Sequence, residues 1–489
     1  RRPRGQMTGR PVTRRRALAG IGAAAGAALV SVTLPPLARA KGKIREFRLR
    51  AAPAVARLVG PNGPETAVWA YDGRTPGPVI RAMQGERLRV HVENALEQPT
   101  TVHWHGIRLA NAMDGVPYLT QDPIAPGKSF TYEFDAFDAG TYWYHPHFNS
   151  SEQVAMGLAG ALIIDEPAPP EVDRDVLWVI DDWRLTKDAA IASFDRPFHD
   201  MAHGGRFGNT VTVNGQIAED VPVTPGERIR LRIVNVANAR IFRLIFTGHR
   251  PWLAAIDGHP VPPRQFDEGQ LIIAPGSRAD LILDMTGKAG DRFTVIDNSP
   301  EGIRYRLADL AYGPVPATPA PARGTPEAWA DNPISEPDLD TATRLELVME
   351  GGAMGGLQTA IYKGETLTGR ELARGHGMFW SFNGVVHPPM KYGEPSHPMF
   401  TFKKGESVIL AIRNDTAFAH PIHLHGHTFR VLTRNGKPDP DQPWQDTVLL
   451  TVDGEVEIAF VADNPGDWML HCHIMEHQKS GMMGHFRVG

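Results

Sequence analysis

Cysteine is almost missing from this chain of 489 residues, which holds only Cys472. No internal disulfide can form, so that thiol is a buried small hydrophobe, a reactive group or a metal ligand. An excess of base is missing as well. The formal charge is −4, and residues 1–40 hold eight Arg with no Lys, Asp or Glu, leaving 43 basic against 55 acidic residues in the rest. An acidic body has no electrostatic footprint for nucleic acid, so no such partner is expected. Disorder is excluded by 42% hydrophobic and 22% charged residues. What the chain has in excess is turn formers, 49 Gly and 42 Pro. They favour many short strands over long helices, and the length favours two to four domains.

One apolar run stands out. Thr13-Arg14-Arg15-Arg16-Ala17-Leu18 leads into an Ala/Gly-rich stretch to Leu34, followed by Ala38-Arg39-Ala40. Paired arginines, a weakly hydrophobic core and a small-x-small cleavage pattern resemble a twin-arginine signal over residues 1–40. That implies export in the folded state, with the twin-arginine machinery as partner and a periplasmic or otherwise exported destination. Met7 is read as the initiator. The competing reading is a membrane anchor, since 18 residues separate Arg16 from Pro35. Ala and Gly contribute little transfer energy, so no stable span is expected.

Internal similarity sets the architecture. Gly85-Glu86, Gly226-Glu227 and Gly405-Glu406 each precede a strand with apolar residues at alternate positions. These are Leu88, Val90 and Val92, then Ile229, Leu231 and Ile233, then Val408, Leu410 and Ile412. In each copy an Asn follows the Glu by eight residues: Asn94, Asn235 and Asn414. A second element runs from Gly127 to Gly140, from Gly276 to Gly290 and from Gly454 to Gly466, each second Gly opening another strand. The pattern predicts three β-sandwich domains at 41–167, 168–318 and 344–489. Pro314, Pro316, Pro319, Pro321 and Pro326 mark a stiff connection, and 319–343 is read as the linker.

Ten of the 20 His fall in four groups on these strands. His103 and His105 lie nine and eleven residues after Asn94, as His423 and His425 do after Asn414. His145 and His147 lie five and seven after Gly140, as His471 and His473 do after Gly466. The middle copy has Leu244, Phe246, Val295 and Asp297 at these offsets. Residues i and i+2 of a strand share a face, so each pair aims two imidazoles one way. Four pairs supply eight imidazoles, enough for three metals with three, three and two ligands, in a cleft between the first and third domains. Such sites favour Cu, Zn, Fe or Ni, and open positions can bind O2.

Cys472 lies between His471 and His473 and therefore faces the other way. His420 should also face away from His423 and His425. His477 and Met482 follow Cys472 by five and ten residues, in a loop able to fold back. Two His, a thiolate and a weak Met form the ligand set of a blue-copper centre. Its thiolate would be joined to the three-metal site through the backbone of His471-Cys472-His473. His91, His199, His203, His249, His259, His376, His387, His397, His427 and His485 lack this register and are read as structural or surface groups.

With those residues in place, the chain from about residue 41 resembles the three-domain multicopper oxidases, which include laccases and bacterial cuprous oxidases. His-Cys-His-x3-His-x4-Met with three upstream His groups carries the resemblance. It implies an all-β fold of three cupredoxin-like Greek-key sandwiches holding four copper ions. His420, Cys472 and His477 would bind type 1 copper with Met482 axial, and His103 and His423 type 2. His105, His145 and His473 would hold one type 3 ion, and His147, His425 and His471 the other. Asp114 matches a carboxylate that helps deliver protons to O2, although Asp114-Gly115 also reads as a simple turn. The activity implied is oxidation of a small reducing substrate with four-electron reduction of O2 to water.

Two rivals remain. A metal-free structural relative would not keep all ten His and Cys472. A two-site copper enzyme such as a nitrite reductase would not need eight paired His or a silent middle domain. For the substrate, cuprous oxidases carry a Met-rich insert and acidic or Met ligands beside type 1 copper. Here Met349, Met354, Met378, Met390 and Met399 are scattered, and Thr416, Phe418 and Gln478 occupy the ligand positions. An uncharged, partly aromatic rim predicts an organic donor, with Cu(I) or Mn(II) as the alternative.

Overall fold

A computed structural model describes residues 43–489 apart from 195–196, 218–219, 267–268, 299–303, 315–322, 355 and 394–396. The export-signal segment 1–40 lies outside the described residues, as do Pro316, Pro319 and Pro321. Strands dominate, and the longest helix among the described residues, Pro197–Ala202, has six. None of the described helices is long and apolar enough to cross a membrane.

The threefold pattern has a physical cause that repeats atom for atom. Gly85, Gly226 and Gly405 adopt φ of +86°, +83° and +85°, a left-handed turn that only glycine enters cheaply. The next residue, Glu86, Glu227 or Glu406, donates its N–H to the carbonyl three residues back at 3.0 Å. Its carboxylate then accepts the N–H of that same residue, Met83 (2.9 Å), Thr224 (3.1 Å) or Lys403 (2.8 Å). The turn is locked from both sides.

The strands that follow end on buried asparagines. Asn94 donates to Gln98 O and Ile124 O, Asn235 to Arg240 O and Ile273 O, and Asn414 to Phe418 O and Thr451 O. Each side-chain oxygen accepts the N–H two residues on, from Leu96, Ala237 or Thr416. Only an amide offers two donors and an acceptor in one short side chain.

Each repeat strand runs between one parallel and one antiparallel neighbour. Arg87–Asn94 lies between Ile44–Ala56 and Ser129–Asp135, and Arg228–Asn235 between Arg174–Trp183 and Arg278–Asp284. Glu406–Asn414 lies between Thr343–Gly351 and Glu455–Ala462. Among the described residues six sheets result, two to each cupredoxin-like domain. The histidine strands occupy the second sheet of the first and third domains, with His103 opposite His145 and His423 opposite His471. The middle domain departs from the sequence alignment: Leu244 faces Asp297 and Phe246 faces Val295, a register shifted by two residues.

Apolar burial joins the first and third domains. Their inner faces form one continuous core, from Leu49, Val90 and Trp104 to Ile412, Trp468 and Phe486, while the second domain keeps its own around Ile233, Phe242 and Leu281. The second domain meets the others through small apolar clusters, such as Trp143 with Val179, Val234 and Met475, and through charge. Arg230, paired with Asp280 of its own domain, reaches Glu166 of the first, Arg232 donates to Thr141 Oγ1 (2.9 Å), and Arg278 pairs with Asp446 of the third, all three guanidiniums buried. The described part of the Pro-rich connection is tacked down rather than free. Arg323 pairs with Asp173, Trp329 lies under Arg230, and Asn332 hydrogen-bonds both backbone atoms of Ala139.

Candidate metal centres

The eight strand-borne imidazoles meet between the first and third domains and stack across the boundary. His103 lies on His425 with ring centroids 3.9 Å apart, and His105 on His423 at 3.7 Å. Each pair joins the first imidazole of one domain to the second of the other.

The protein fixes six of the eight rings by a hydrogen bond donated from the outer nitrogen. His103 Nδ1 donates to Asp114 O (2.8 Å), His423 Nδ1 to Asp446 O (2.8 Å), His145 Nδ1 to Pro146 O (3.0 Å) and His471 Nδ1 to Cys472 O (2.9 Å). Carboxylates hold two more: His425 Nδ1 donates to Asp114 Oδ2 (2.9 Å) and His105 Nε2 to Asp446 Oδ1 (3.0 Å). The inward nitrogens of His103, His105, His145, His147 and His423 are buried without a protein partner, as are both nitrogens of His473. His425 Nε2 and His471 Nε2 face each other at 3.1 Å with their protons on the far side, so two lone pairs converge. A cation relieves that repulsion, and imidazoles oriented by their outer N–H are ready-made ligands.

Burial drives His105, His145, His147, His425, His471 and His473 well below the ordinary imidazole range, and their mutual repulsion adds to it. Neutral imidazole is the form that binds metal. Three sets of ligand atoms lie close together: His103, His105 and His423; His105, His145 and His473; and His147, His425 and His471.

On the reverse face of the last strand, Cys472 Sγ lies 3.5 Å from His420 Nδ1 and 3.7 Å from His477 Nδ1. The two nitrogens are 3.0 Å apart. Their outer nitrogens are engaged, His420 Nε2 with Thr416 Oγ1 (2.7 Å) and His477 Nε2 with the His203 carbonyl (2.5 Å). Lone pairs converge here too, beside a thiol that burial pushes upward and a His477 that burial pushes down to about 3. A thiolate therefore needs a cation here. Met482 returns to this site by donating its N–H to His477 O and accepting from Cys472 N, each at 3.0 Å. Two imidazoles and a thiolate suit copper, as does the imidazole cluster.

The structure places Asp114 at a turn and beside the imidazole cluster. It closes the short turn Asn111–Met113 and also lies with His103 and His425. His427 has Nδ1 on His425 O (3.2 Å) and Nε2 accepting from Asn464 N (3.4 Å), a structural role. Two rim residues are corrected. Thr416 is buried beneath His420 because Asn414 bends the chain back, and Gln478 is buried between Ser150 and His147 (2.8 and 3.3 Å), facing the imidazole cluster. Only Phe418 of the three is half-exposed.

Sequence reasoning missed Asp446 and everything the middle domain contributes. Burial alone would raise Asp446, but Arg278 and His105 outweigh it and hold the carboxyl well below its ordinary range. Gly276, at φ +83°, packs so tightly that a Cβ would lie 2.7 Å from His473 Cδ2. Asn238 anchors buried Glu476 (2.8 Å), and His203 caps His477.

The multicopper oxidase family description matches this chain three times, at residues 56–169, 174–307 and 370–489. The chain is 31% identical to the multicopper oxidase MmcO of Mycobacterium tuberculosis over 86% of its own length and 83% of that protein's. It is 30% identical to Laccase-2 of Botryotinia fuckeliana over 88% and 80%. The crystal structure of a multi-copper oxidase from Pseudomonas thermotolerans superimposes with a TM-score of 0.80 and 33% identity, covering 92% of this chain and all of that one. Likeness of this extent, running through all three domains and both ligand-bearing strand pairs, makes the chain a member of the multicopper oxidases, an oxidoreductase that uses dioxygen as its acceptor.

Proposed function

We propose that this chain is a laccase-type oxidase of aromatic donors carrying four copper ions. His420, Cys472, His477 and Met482 hold the type 1 ion, and His103 and His423 the type 2. His105, His145 and His473 hold one type 3 ion, and His147, His425 and His471 the other. Residues 1–40 serve as a twin-arginine-type export signal, and the domains run over 41–167, 168–318 and 344–489 with the linker at 319–343.

The observation that supports this most is the strand His471-Cys472-His473. Its alternation sends the thiol to one centre and both neighbouring imidazoles to the other. Copper at these positions supplies one-electron chemistry and a place for O2 to be reduced. The chain does the rest. The thiol, the backbone of residues 471–473 and the two imidazoles form a covalent conductor between the centres. Asp114 and Asp446 hold protons on His425 Nδ1 and His105 Nε2, keeping the inner nitrogens free to bind metal. Asp114 is also the carboxylate best placed to hand protons toward the cluster. Half-buried Phe418 supports an aromatic donor, because neither a carboxylate nor a thioether stands at its position for Cu(I).

Copper analysis, the visible spectrum and oxygen uptake test the reading together. We expect four ions per chain, an intense blue thiolate band with a near-ultraviolet shoulder, and faster turnover with methoxyphenols than with Cu(I) or Mn(II). A clear preference for Cu(I) would overturn the donor class and leave the copper sites standing. Absence of the blue band would overturn the sites themselves.

A further inference from the structure

The second domain lays a short segment across the thiol centre. Three consecutive carbonyls accept hydrogen bonds from the third domain there. Met201 O accepts from Trp380 Nε1 (2.6 Å), Ala202 O from Ala353 N (2.7 Å) and His203 O from His477 Nε2 (2.5 Å). His420, Cys472, His477 and Met482 are each 0% exposed. Buried Trp380 covers both imidazoles, with ring centroids 4.3 Å from His477 and 5.1 Å from His420. Thr416 takes the outer nitrogen of His420, as His203 takes that of His477. A donor in solution therefore cannot touch an imidazole edge of this centre.

The way out passes through His203. One hydrogen bond links His477 to its carbonyl, and from there the connection is covalent to the His203 ring. That ring is half-buried, stands edge-on to Phe418 at 6.0 Å and stacks on His199 at 4.4 Å with an 11° tilt. The His199 side chain is 73% exposed. Asp200, the carboxylate of that helix, turns inward to Arg184 and is buried. The outer surface here is a cluster of rings, which suits a flat, uncharged aromatic better than a cation.

We infer that His203 is the port through which a phenolic donor delivers electrons, standing where a bare ligand imidazole would otherwise face solvent. This rests on the thiolate-copper reading above. The phenol lies against the His203 ring and loses one electron, becoming a phenoxyl radical. The path for the electron runs through the His203 carbonyl and the His477 hydrogen bond, and a copper ion held by His420, Cys472 and His477 would supply the one-electron acceptor at its end. The hydroxyl proton leaves to water at the half-exposed rim.

His203→Ala keeps the capping carbonyl and removes only the ring. Copper content, blue-band position and type 1 potential should therefore stay as in the wild type. Two readouts should change. Calorimetric titration of the copper-loaded chain with a methoxybenzene, which lacks the oxidisable hydroxyl, should show Kd raised about tenfold, the upper range for one lost aromatic contact. Anaerobic bleaching of the blue band by the matching methoxyphenol should slow by at least as much, and His203→Phe should restore both. Wild-type affinity and bleaching rate in a blue His203→Ala protein would overturn the port. So would a His203→Phe variant as slow as Ala. A wild-type protein that is not blue overturns the copper reading instead, so the two failures are distinguishable.

Discussion

Asp114 Oδ2 accepts a hydrogen bond from His425 Nδ1 at 2.9 Å across the boundary between the first and third domains. Asp446 reciprocates by holding His105 from the other side at 3.0 Å. Each aspartate also lends its backbone carbonyl to the first imidazole of its own domain, His103 or His423. The two carboxylates thus tie together the halves of the cluster that sequence distance keeps apart.

Removing one tie should be read at the metal before it is read at turnover. Asp114→Asn keeps an acceptor for His425 but loses the charge, so full copper and the blue band should persist while oxygen reduction slows. Asp114→Ala loses the acceptor as well, and copper affinity at the cluster should fall about 10- to 100-fold. Copper content after dialysis against a graded chelator measures this. Equal retention in both variants would show that the contact does not orient His425.

The covalent conductor gives a sharper test. Cys472→Ser deletes the soft ligand, so the blue band should vanish and oxidase turnover should drop to background. The eight cluster imidazoles would still bind copper, visible by electron paramagnetic resonance. His147→Ala is the mirror case: the blue band stays and bleaches on reduction, but O2 no longer restores it. Turnover surviving in either variant would contradict the division into two centres.

Gly276 offers a test of the domain that carries no ligand. Gly276→Ala places a Cβ 2.7 Å from His473 Cδ2 at a backbone φ of +83°, where alanine is strained. His473 must move, so type 3 coupling should weaken while the blue band keeps its position. Magnetic susceptibility before and after O2 exposure would read it, and an unchanged coupling would mean that the contact yields without cost.

Asn235 tests stability apart from chemistry. Asn235→Leu leaves Arg240 O, Ile273 O and the Ala237 N–H without their partner inside the second domain. The loss should be about 3 kcal/mol, taking roughly 1 kcal/mol for each buried group left unsatisfied. Calorimetry should show an early transition for that domain, with copper content intact below it. A coincident, unshifted transition would show that the asparagine repeat is not structurally required.

Much of this was legible in the sequence because strand geometry has period two. His103/His105 and His423/His425 share offsets from Asn94 and Asn414, and those asparagines do the same work in each domain. The rest was hidden for particular reasons. His203 acts on His477 through a backbone carbonyl, which no residue type announces. Asp446 follows His423 by 23 residues where Asp114 follows His103 by eleven, so no shared offset marks it. Thr416 and Gln478 sit near His420 and His477 in sequence, yet a buried turn and a short helix rotate both away from the rim.

The distance between ligands along the chain also bears on when the cluster can exist. His105 and His145 lie with His473, more than three hundred residues downstream, and buried Arg278 must find Asp446 before that side is closed. Pairings this remote form late, since loop closure has to come before any contact rewards it. A chain still being synthesised therefore offers only paired imidazoles from its first domain. Copper capture becomes a report of completed assembly, and metal added during refolding should be taken up only after the slowest tertiary step.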